Sequence, residues 1–426
     1  MSAILMLVFC VLMAIGLPIA FAMALAAVVT IANHPTLPFN VFIQRALIGA
    51  DSYSLLAIPF FILAGNIMNV GGITNRIITF ANACVGRFSG GLGLTTVMSC
   101  MVFSGVSGSA VADATALGKV LVPGMKKANY APGFAAAITA SASVMGPIIP
   151  PSIPLIIYGL SVGKGVSVAA LFLGGVVPGL MLGAGLAVVT FLIARKRNYP
   201  VHEAVPFRQL MSSAKQATWA LLMPFVILFG VTGGVVTVTE SAAFAVLYAL
   251  FVSMVIHREL DIRKLWSIFI QSGLDSAVVM IIIAFASTFG WLMAVSGLPR
   301  EIAAWISSVS SNPIVILMLI NGLLLIVGCF MEAIAAMIIL IPVLIPIVQA
   351  AGVDLIHFGL VMVFNLMLGL LTPPVGILLY ICGNFAQVKI ERVVIEVLPF
   401  LAVGLVVLLL ITLFPSLVLW LPKLFM

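Results

Sequence analysis

A long apolar run is interrupted by Gly146-Pro147-Ile148-Ile149-Pro150-Pro151-Ser152, which places three prolines within five residues. A second run is interrupted 223 residues later by Gly369-Leu370-Leu371-Thr372-Pro373-Pro374. Proline removes a backbone donor and clashes with the preceding helical turn, so each stretch predicts a broken helix with unpaired carbonyl groups. Such breaks persist in hydrocarbon only where protein, water or a ligand satisfies these groups. A proline pair can also merely kink a packed helix, but recurrence at two comparable positions favours a site.

The composition excludes a water-soluble protein. Of the 426 residues, 63% are hydrophobic and only 7% are charged, whereas soluble domains are about half apolar and a quarter charged. Disorder requires low hydrophobicity and high charge, so it is excluded too. Unbroken apolar runs such as 4–31 and 397–413 have the length of helical spans and not the alternation of a membrane barrel. We therefore predict an all-α polytopic membrane protein.

Apolar length and basic residues give a predicted topology. We expect membrane spans near residues 3–32, 53–71, 132–159, 168–194, 217–233, 240–256, 266–294, 357–381 and 396–414. The stretches 89–122 and 313–349 are interrupted midway by polar or small residues and predict re-entrant hairpins, which leaves nine crossings. A cytoplasmic N-terminus places 15 of the 19 basic residues inside, and the positive-inside rule prefers this arrangement. The C-terminus is then outside, together with Arg45, Lys164, Arg300 and Lys423.

The two halves of the chain resemble each other. A constant offset of 223 residues relates the two proline breaks, and the same offset pairs Gly105 with Gly328 and Pro123 with Pro346. In the predicted topology the halves enter the membrane from opposite sides, so they are inverted repeats, which are typical of secondary transporters with midplane binding sites. We predict a first repeat at 1–194, a cytoplasmic interfacial linker with an extra span at 195–233, and a second repeat at 234–426.

Four carboxylates fall within or beside apolar runs, namely Asp113, Glu240, Asp275 and Glu332. Ionisable groups at membrane depth are costly, which makes them functional candidates. Asp113 and Glu332 follow the predicted hairpin turns at 104–109 and 328–332, although each could instead bond a nearby backbone N–H or hydroxyl group. Glu240 follows Thr237 at a predicted helix start and fits a helix cap, while Asp275 fits a contact between helices.

The sequence lacks the motifs of several enzyme and binding classes. No phosphate-binding loop of the Walker type is present, which argues against ATP-driven transport. Gly105-Val106-Ser107-Gly108 matches a short protease motif, but that chemistry needs a histidine base, and His34, His202, His257 and His357 fall in predicted loops or at a span edge. The five cysteines have no metal-ligand spacing and are expected to be reduced. The net charge of +7 is interpreted as an orientation signal, so we predict neither an enzyme nor a nucleic-acid partner.

Four segments together resemble a known transporter family. They are the segment 51–65 with Leu55-Leu56-Ala57-Ile58-Pro59-Phe60-Phe61, the turn Ser104-Gly105-x-Ser107-Gly108-Ser109-Ala110, Gly146-x-x-x-Pro150-Pro151-Ser152, and Gly369-x-x-Thr372-Pro373-Pro374-Val375-Gly376. The chain resembles the large membrane subunit of tripartite ATP-independent periplasmic (TRAP) transporters over residues 4–415. One departure is Glu332, where the family more often has aspartate.

The resemblance implies an elevator-type ion-transporter fold in which a scaffold carries a mobile transport domain. It also implies sodium coupling, location in the bacterial inner membrane, a small four-span membrane subunit and a periplasmic binding protein that delivers an organic acid. Sialic acid and C4-dicarboxylates are the expected substrate classes, with a preference for sialic acid. No organic cofactor is expected, and sodium ions act as coupling ions. A single-component dicarboxylate or citrate symporter and a passive channel are the alternatives.

Residue roles follow from the resemblance together with the chemistry of the breaks. Freed carbonyl and hydroxyl oxygens suit a sodium ion, and half-helix N-termini suit a carboxylate. The predicted sodium ligands come from Ser104, Gly105, Ser107, Gly146, Pro147 and Pro150 at one site, and from Gly328, Glu332, Gly369, Thr372 and Pro373 at the other. The polar groups predicted to lie near the substrate are Ser107, Ser109, Asp113, Asn365 and Thr372. The spans 3–32, 217–233 and 240–256 with their neighbours are expected to form the scaffold.

Overall fold

The computed structural model describes residues 1–35, 37–163, 165–201, 205–297, 301 and 312–426. Within these ranges the regular structure is helical throughout. The helices are α1 Ser2–Ala14, α2 Ile19–Ala32, α3 Asn40–Ala50, α4 Ala57–Val70, α5 Ile73–Val85, α6 Gly91–Ser107, α7 Ala110–Lys127, α8 Pro132–Ser143, α9 Ile153–Val162, α10 Val168–Lys196, α11 Phe207–Thr232, α12 Val238–Phe251, α13 Ile262–Val295, α14 Pro313–Phe330, α15 Ala333–Ala350, α16 Leu355–Gly369, α17 Ile377–Ala386, α18 Ile390–Leu413 and α19 Ser416–Phe425.

The all-α membrane architecture is confirmed. Eight helical segments of the described chain are long and apolar enough to cross a membrane. The hairpins expected at 89–122 and 313–349 are the pairs α6–α7 and α14–α15, and both proline stretches interrupt helices as predicted. The re-entrant course of the hairpins stays a prediction, since α14 and α15 each have 18 residues. The predicted external residues Lys164 and Arg300, and the loop residue His202, lie outside the described residues.

The single span predicted at 3–32 is wrong. Two shorter helices, α1 and α2, occupy this region and pack against each other across a turn at Gly16, whose φ is +87°. Phe9 and Phe21 contact Phe289 and Phe285, one turn apart on α13, so the two helices lie side by side. Because two helices replace one predicted crossing, the count of crossings no longer places the N-terminus in the cytoplasm. The predicted separation of the basic residues between the two sides of the membrane is unaffected, because the first basic residue, Arg45, follows the pair.

Other boundaries also differ from the prediction. Within the linker predicted ahead of the span 217–233, α10 continues to Lys196 and α11 begins at Phe207, while the position of the linker at the membrane interface stays a prediction. The second half of that linker forms the first turns of the same helix that contains the predicted span 217–233. The short helices α3, α5 and α19 were not expected. Of these, α3 packs along α13, where Arg45 lies 5.0 Å above the Trp291 ring.

The two hairpins and the two broken helices form one reciprocal arrangement. Helix α17, the second half of one broken helix, packs against α7 and α8. Its counterpart α9 packs against α15 and α16 in the other half. The helices α7 and α15 begin 223 residues apart, and so do α8 and α16, which matches the offset in the sequence. Reciprocal contacts of this kind are those that a two-fold relation between two similar units produces.

A second group of helices lies beside this arrangement. Helix α4 packs closely against α12 and α13, and α13 also packs against α2 and α3. The 34-residue helix α13 is therefore the common support of this group. We call α1–α4, α12 and α13 the support group, and we call the hairpins α6–α7 and α14–α15 with the broken helices α8–α9 and α16–α17 the hairpin group. Contacts between α4 and α6 and between α13 and α15 join the two groups.

The close approach of Gly328 and Gly369 leads to a testable prediction. A Cβ atom added at Gly369 would lie 2.5 Å from the carbonyl carbon of Gly328, so Gly369→Ala forces two backbones apart. Overpacking of this kind costs about 1–3 kcal/mol. We expect the purified variant to show a lower Tm than the wild-type protein in thermal unfolding.

Gly322→Ala in α14 is the matched control for this experiment. No atom lies within 4 Å of a Cβ atom added at Gly322. Replacing an interior helical glycine with alanine favours the helix by about 0.5–1 kcal/mol, so this variant should keep or raise the Tm. Equal Tm values for the two variants would contradict the packing described here.

Candidate functional site

The first hairpin turn contacts the first break through two glycines. Helix α6 ends at Ser107, and Gly108 follows with a φ of +61°, which lets the chain reverse into α7. A Cβ atom at Gly108 would lie 2.8 Å from the carbonyl oxygen of Pro151, and one at Gly146 would lie 2.6 Å from Oδ2 of Asp113. The turn and the break can therefore meet only because neither glycine carries a side chain.

Asp113 is the charged centre of this contact. Its side chain is fully buried, and its carboxylate accepts hydrogen bonds from the hydroxyl groups of Ser104, at 3.3 Å, and Ser107. The ion pairs within the described part of the chain join Arg76 to Glu259 and Arg197 to Glu396, so neither neutralises Asp113. A buried carboxylate without a cationic side chain is unfavourable. Its surroundings of hydroxyl and carbonyl oxygens fit a hard cation such as sodium.

The first set of predicted sodium ligands is brought together around Asp113. Gly105 faces the same break, since a Cβ atom there would lie 3.5 Å from the carbonyl oxygen of Pro150. The carbonyl oxygen of Pro147 accepts a hydrogen bond from the Ser152 hydroxyl group. The predicted residues of this set therefore lie within one compact region, and their sodium-binding role stays a prediction.

The second turn and the second break also meet, but they are more open. Gly328 and Gly369 touch through their backbones, and Val375 N–H donates to the carbonyl oxygen of Cys329 at 3.3 Å. The Glu332 carboxylate caps α15 by accepting from Ala335 N–H at 3.0 Å. Pro373 is exposed, whereas the equivalent Pro150 is buried. The two halves of the arrangement therefore differ in how far they are closed.

Both helix C-termini and helix N-termini lie beside these contacts. The C-terminal ends of α6 and α8 meet at the first break, and those of α14 and α16 meet at the second. Helix C-termini present unpaired carbonyl groups with partial negative charge, which attracts cations. Helices α7, α9 and α15 begin beside the same contacts, and helix N-termini attract anions. One region can therefore hold a cation and an anion side by side.

A cavity of about 430 Å³ lies between the support group and the hairpin group. Its polar lining comes from both sides: Asn66, Asn69, Gln271 and Asp275 on the support group, and Ser107, Ser109, Thr115 and Glu332 on the hairpin group. The N-terminal residues Ala110–Ala112 of α7 and Ile153 and Pro154 of α9 also line it. This volume and mixed lining are typical of a small-molecule site.

The support-group wall is held by its own hydrogen bonds. The Asn66 amide donates to Ser272 Oγ at 2.9 Å and to Asp275 Oδ2 at 3.2 Å, and the Gln271 amide donates to Asp275 Oδ1 at 2.9 Å. The interpretation of Asp275 as a contact between helices is thus confirmed, and it also lines the cavity. Asn66, Asn69 and Gln271 also line the cavity but were not among the predicted site residues. The one signal in the sequence was their position as amides within apolar helices.

The predicted substrate residues are only partly brought together. Ser107 and Ser109 line the cavity, and Asp113 lies directly behind them. Asn365 does not line it, because its amide donates to Asn321 within the hairpin group at 3.0 Å. Thr372 does not line it either, and its hydroxyl group donates to the carbonyl oxygen of Leu368 at 3.0 Å. The substrate roles of these residues stay predictions.

Two further interpretations can be compared with the structure. Glu240 and Thr237 form a reciprocal helix cap at the start of α12, as expected. The Ser107 hydroxyl group engages Asp113, while the His357 ring contacts the carbonyl oxygen of Ile411 at 2.7 Å. Ser107 and His357 therefore do not form the nucleophile and base pair of a serine protease.

Comparison with known proteins identifies the family. The family described as "Tripartite ATP-independent periplasmic transporter, DctM component" matches residues 6–417. The chain belongs to this family. The expected identity as a TRAP large membrane subunit is thereby confirmed, and the chain is placed in a transporter family and not in an enzyme family.

Two curated relatives of this DctM-family chain match over nearly its whole length. It is 41% identical over 419 residues to "Uncharacterized protein YgiK" of Salmonella typhimurium, covering 98% of this chain and 96% of the relative. It is 39% identical over 411 residues to "Sialic acid TRAP transporter large permease protein SiaM" of Vibrio cholerae, covering 96% of each. The solved YdaH transporter of Alcanivorax borkumensis has a TM-score of 0.64 at 15% identity, covering 93% of this chain and 97% of that chain, which shows a shared fold.

Accessibility of the cavity to water is testable with two threonines. Thr115 is exposed in the cavity wall, while Thr139 is 0% exposed, and each hydroxyl group donates to a carbonyl four residues back at 2.8 Å. In a background without the native cysteines, we expect a water-soluble maleimide to label Thr115→Cys an order of magnitude faster than Thr139→Cys, because only the first thiol meets solvent. Equal labelling rates in folded protein would rule out an open cavity.

Proposed function

We propose that this chain is the large membrane subunit of a sodium-coupled transporter that imports an organic acid anion by an elevator movement. A periplasmic binding protein delivers the anion, which belongs to the sialic acid or C4-dicarboxylate class. The observation that carries the proposal is the buried Asp113 carboxylate, which faces two hydroxyl groups at the meeting point of a hairpin turn and a broken helix.

Sodium coupling is supported by the chemistry around Asp113 and Glu332. Each carboxylate lies beside a turn where carbonyl and hydroxyl oxygens of two elements converge. The described residues contain no group of three or more His, Cys, Asp or Glu side chains that could hold a transition metal. Sites made from one carboxylate with several neutral oxygens suit an alkali cation, which would neutralise a charge that burial otherwise penalises.

Binding of an organic anion is supported by the helix N-termini at the cavity. The first residues of α7 and α9 line it. The first N–H groups of a helix lack intrahelical partners and carry partial positive charge. A carboxylate at this position would lie next to the sodium ion held behind it, so each ion stabilises the other. Binding of the anion would therefore strengthen binding of sodium, and the reverse holds by linkage.

An elevator movement is supported by the position of the cavity between the two groups of helices. The hairpin group carries both breaks, while the support group supplies the opposite wall. We propose that the repeats 1–194 and 234–426 are inverted and that the hairpin group moves as a unit along α13. Rigid movement of one body against another is typical of secondary transporters, and in an elevator movement the bound ligand travels with the hairpin group.

The partners and the orientation belong to the same proposal. The family description names a tripartite periplasmic system, which is consistent with a small four-span membrane subunit and a periplasmic binding protein. We place the chain in the bacterial inner membrane. The 15 basic residues that the predicted topology places inside then lie in the cytoplasm, and the C-terminus lies in the periplasm. The side of the N-terminus depends on how α1 and α2 enter the bilayer.

Loss of single hydroxyl ligands tests the sodium sites. We expect Ser107→Ala and Thr372→Ala each to raise the sodium concentration needed for half-maximal uptake in proteoliposomes that also contain the partner proteins. An interaction with a charged group is worth about 1.5–3 kcal/mol, which corresponds to roughly tenfold or more in sodium affinity.

Ser267→Ala is the matched control for this experiment. The Ser267 hydroxyl group donates to the carbonyl oxygen of Lys264 on α13, outside both breaks. Its sodium dependence should equal that of the wild-type protein. An unchanged sodium dependence in both Ser107→Ala and Thr372→Ala would overturn the site assignment, and uptake that persists after collapse of the sodium gradient would overturn sodium coupling itself.

A further inference from the structure

The cavity between the two helix groups has an unusual charge for an anion site. Among the described residues that line it, two carry carboxylates, Asp275 and Glu332, and none is Lys, Arg or His. The remaining polar groups are the amides of Asn66, Asn69 and Gln271 and three hydroxyl groups. The cavity wall itself therefore provides hydrogen bonds and negative charge, while positive potential is confined to the helix ends.

The carboxylate of Asp275 is fixed in place and can accept further hydrogen bonds. One oxygen accepts from the Asn66 amide and the other from the Gln271 amide. A carboxylate oxygen has two acceptor positions, so each keeps capacity for one more donor. Across the cavity, Glu332 accepts from Ala335 N–H through one oxygen. Both carboxylates therefore present acceptors that hydroxyl or amide N–H groups of a ligand would satisfy.

Positive potential is concentrated at one end of the cavity. The N-terminal residues Ala110 and Val111 of α7 lie beside Ser107 and Ser109, next to the proposed first sodium site. This end can hold one carboxylate of a ligand. The opposite wall carries Asn66, Gln271 and Asp275 of the support group. A second carboxylate placed there would face Asp275 without a cationic partner.

We propose that this site selects a monocarboxylate that carries several hydroxyl or amide N–H groups, as a sugar acid does, and rejects a four-carbon dicarboxylate. The inference rests on the proposed function, and it narrows the substrate class of the same cavity. The carboxylate of the ligand lies at the hairpin end, and its hydroxyl or amide groups donate to Asp275 and Glu332. Rejection of the dicarboxylate is a repulsive element, since like charges oppose each other in a partly desolvated site.

The opposite wall of the site lies on the support group, which gives Asp275 a particular role. Contacts with Asp275 exist only while the hairpin group lies at this level of α13, because the ligand moves with the hairpin group in the proposed cycle. Asp275 is thus a specificity-determining residue in the state described here. The first sodium site does not include it, so its replacement leaves the sodium ligands intact.

Ligand-induced stabilisation of the purified full-length protein in lipid nanodiscs tests this inference. Dissociation constants are derived from the Tm shift in sodium and in choline buffers, with gluconate and N-acetylneuraminate as sugar acids, succinate and malate as dicarboxylates, and hexanoate as a monocarboxylate without hydroxyl groups. We expect sodium-dependent binding of at least one sugar acid that is about tenfold or more tighter than binding of either dicarboxylate or of hexanoate. Asp275→Asn keeps the size of the side chain and should reduce the preference over the dicarboxylates about tenfold.

Glu240→Gln is the matched control, because this carboxylate caps α12 in the support group and does not line the cavity. It should leave the preference unchanged. Sodium-dependent binding in which a dicarboxylate or hexanoate equals the sugar acids would overturn the inference while the proposed transport function stands. An unchanged preference in Asp275→Asn would also overturn it. Sodium-independent binding of every acid would instead overturn the proposed coupling.

Discussion

Contact between a hairpin turn and the break of a neighbouring helix is the constraint on which the rest of the structure depends. In each half a glycine occupies the point of closest approach, and an added Cβ atom would lie 2.6 Å from the Asp113 carboxylate at Gly146 and 2.5 Å from the Gly328 backbone at Gly369. Where two backbones come this close, the carbonyl groups released by the prolines lie next to those of the turn. The proposed ion binding, the arrangement of the helix ends and the shape of the cavity all depend on this approach.

The electrostatics of the site follow from a shortage of charge. With 7% charged residues, the chain has few cationic side chains to spare at membrane depth. Asp113 is paired with hydroxyl groups instead of a lysine or arginine. An immobile cationic side chain would neutralise the carboxylate permanently, whereas a mobile ion neutralises it only when present. In the proposed function the site would therefore depend on the ion for its stability, and this dependence would provide the coupling.

The sequence allows local features to be predicted much better than distant contacts. Both breaks were predictable because proline acts on its own helical turn, and the Glu240 cap was predictable because Thr237 lies three residues away. The turn between α1 and α2 was missed, since only Gly16 and Pro18 interrupt an otherwise apolar run.

The support-group wall of the cavity could not be predicted for a different reason. Asn66 and Asp275 are 209 residues apart, so no local pattern brings them together. Asn365 illustrates the opposite case. It lies one turn before Gly369 on the same helix, but its side chain points towards Asn321 instead of the cavity.

The short N-terminal pair of helices has a consequence for the surrounding lipid. Helices of 13 and 14 residues rise only about 20 Å, whereas the hydrocarbon core of a bilayer is about 30 Å thick. A pair this short that entered the bilayer from one side would end within the hydrocarbon, and one that crossed it would require a thinner membrane around it. Such a mismatch carries an energetic cost that covering the pair with another membrane protein would reduce. The chain thus has a built-in place where lipid is the less favourable neighbour.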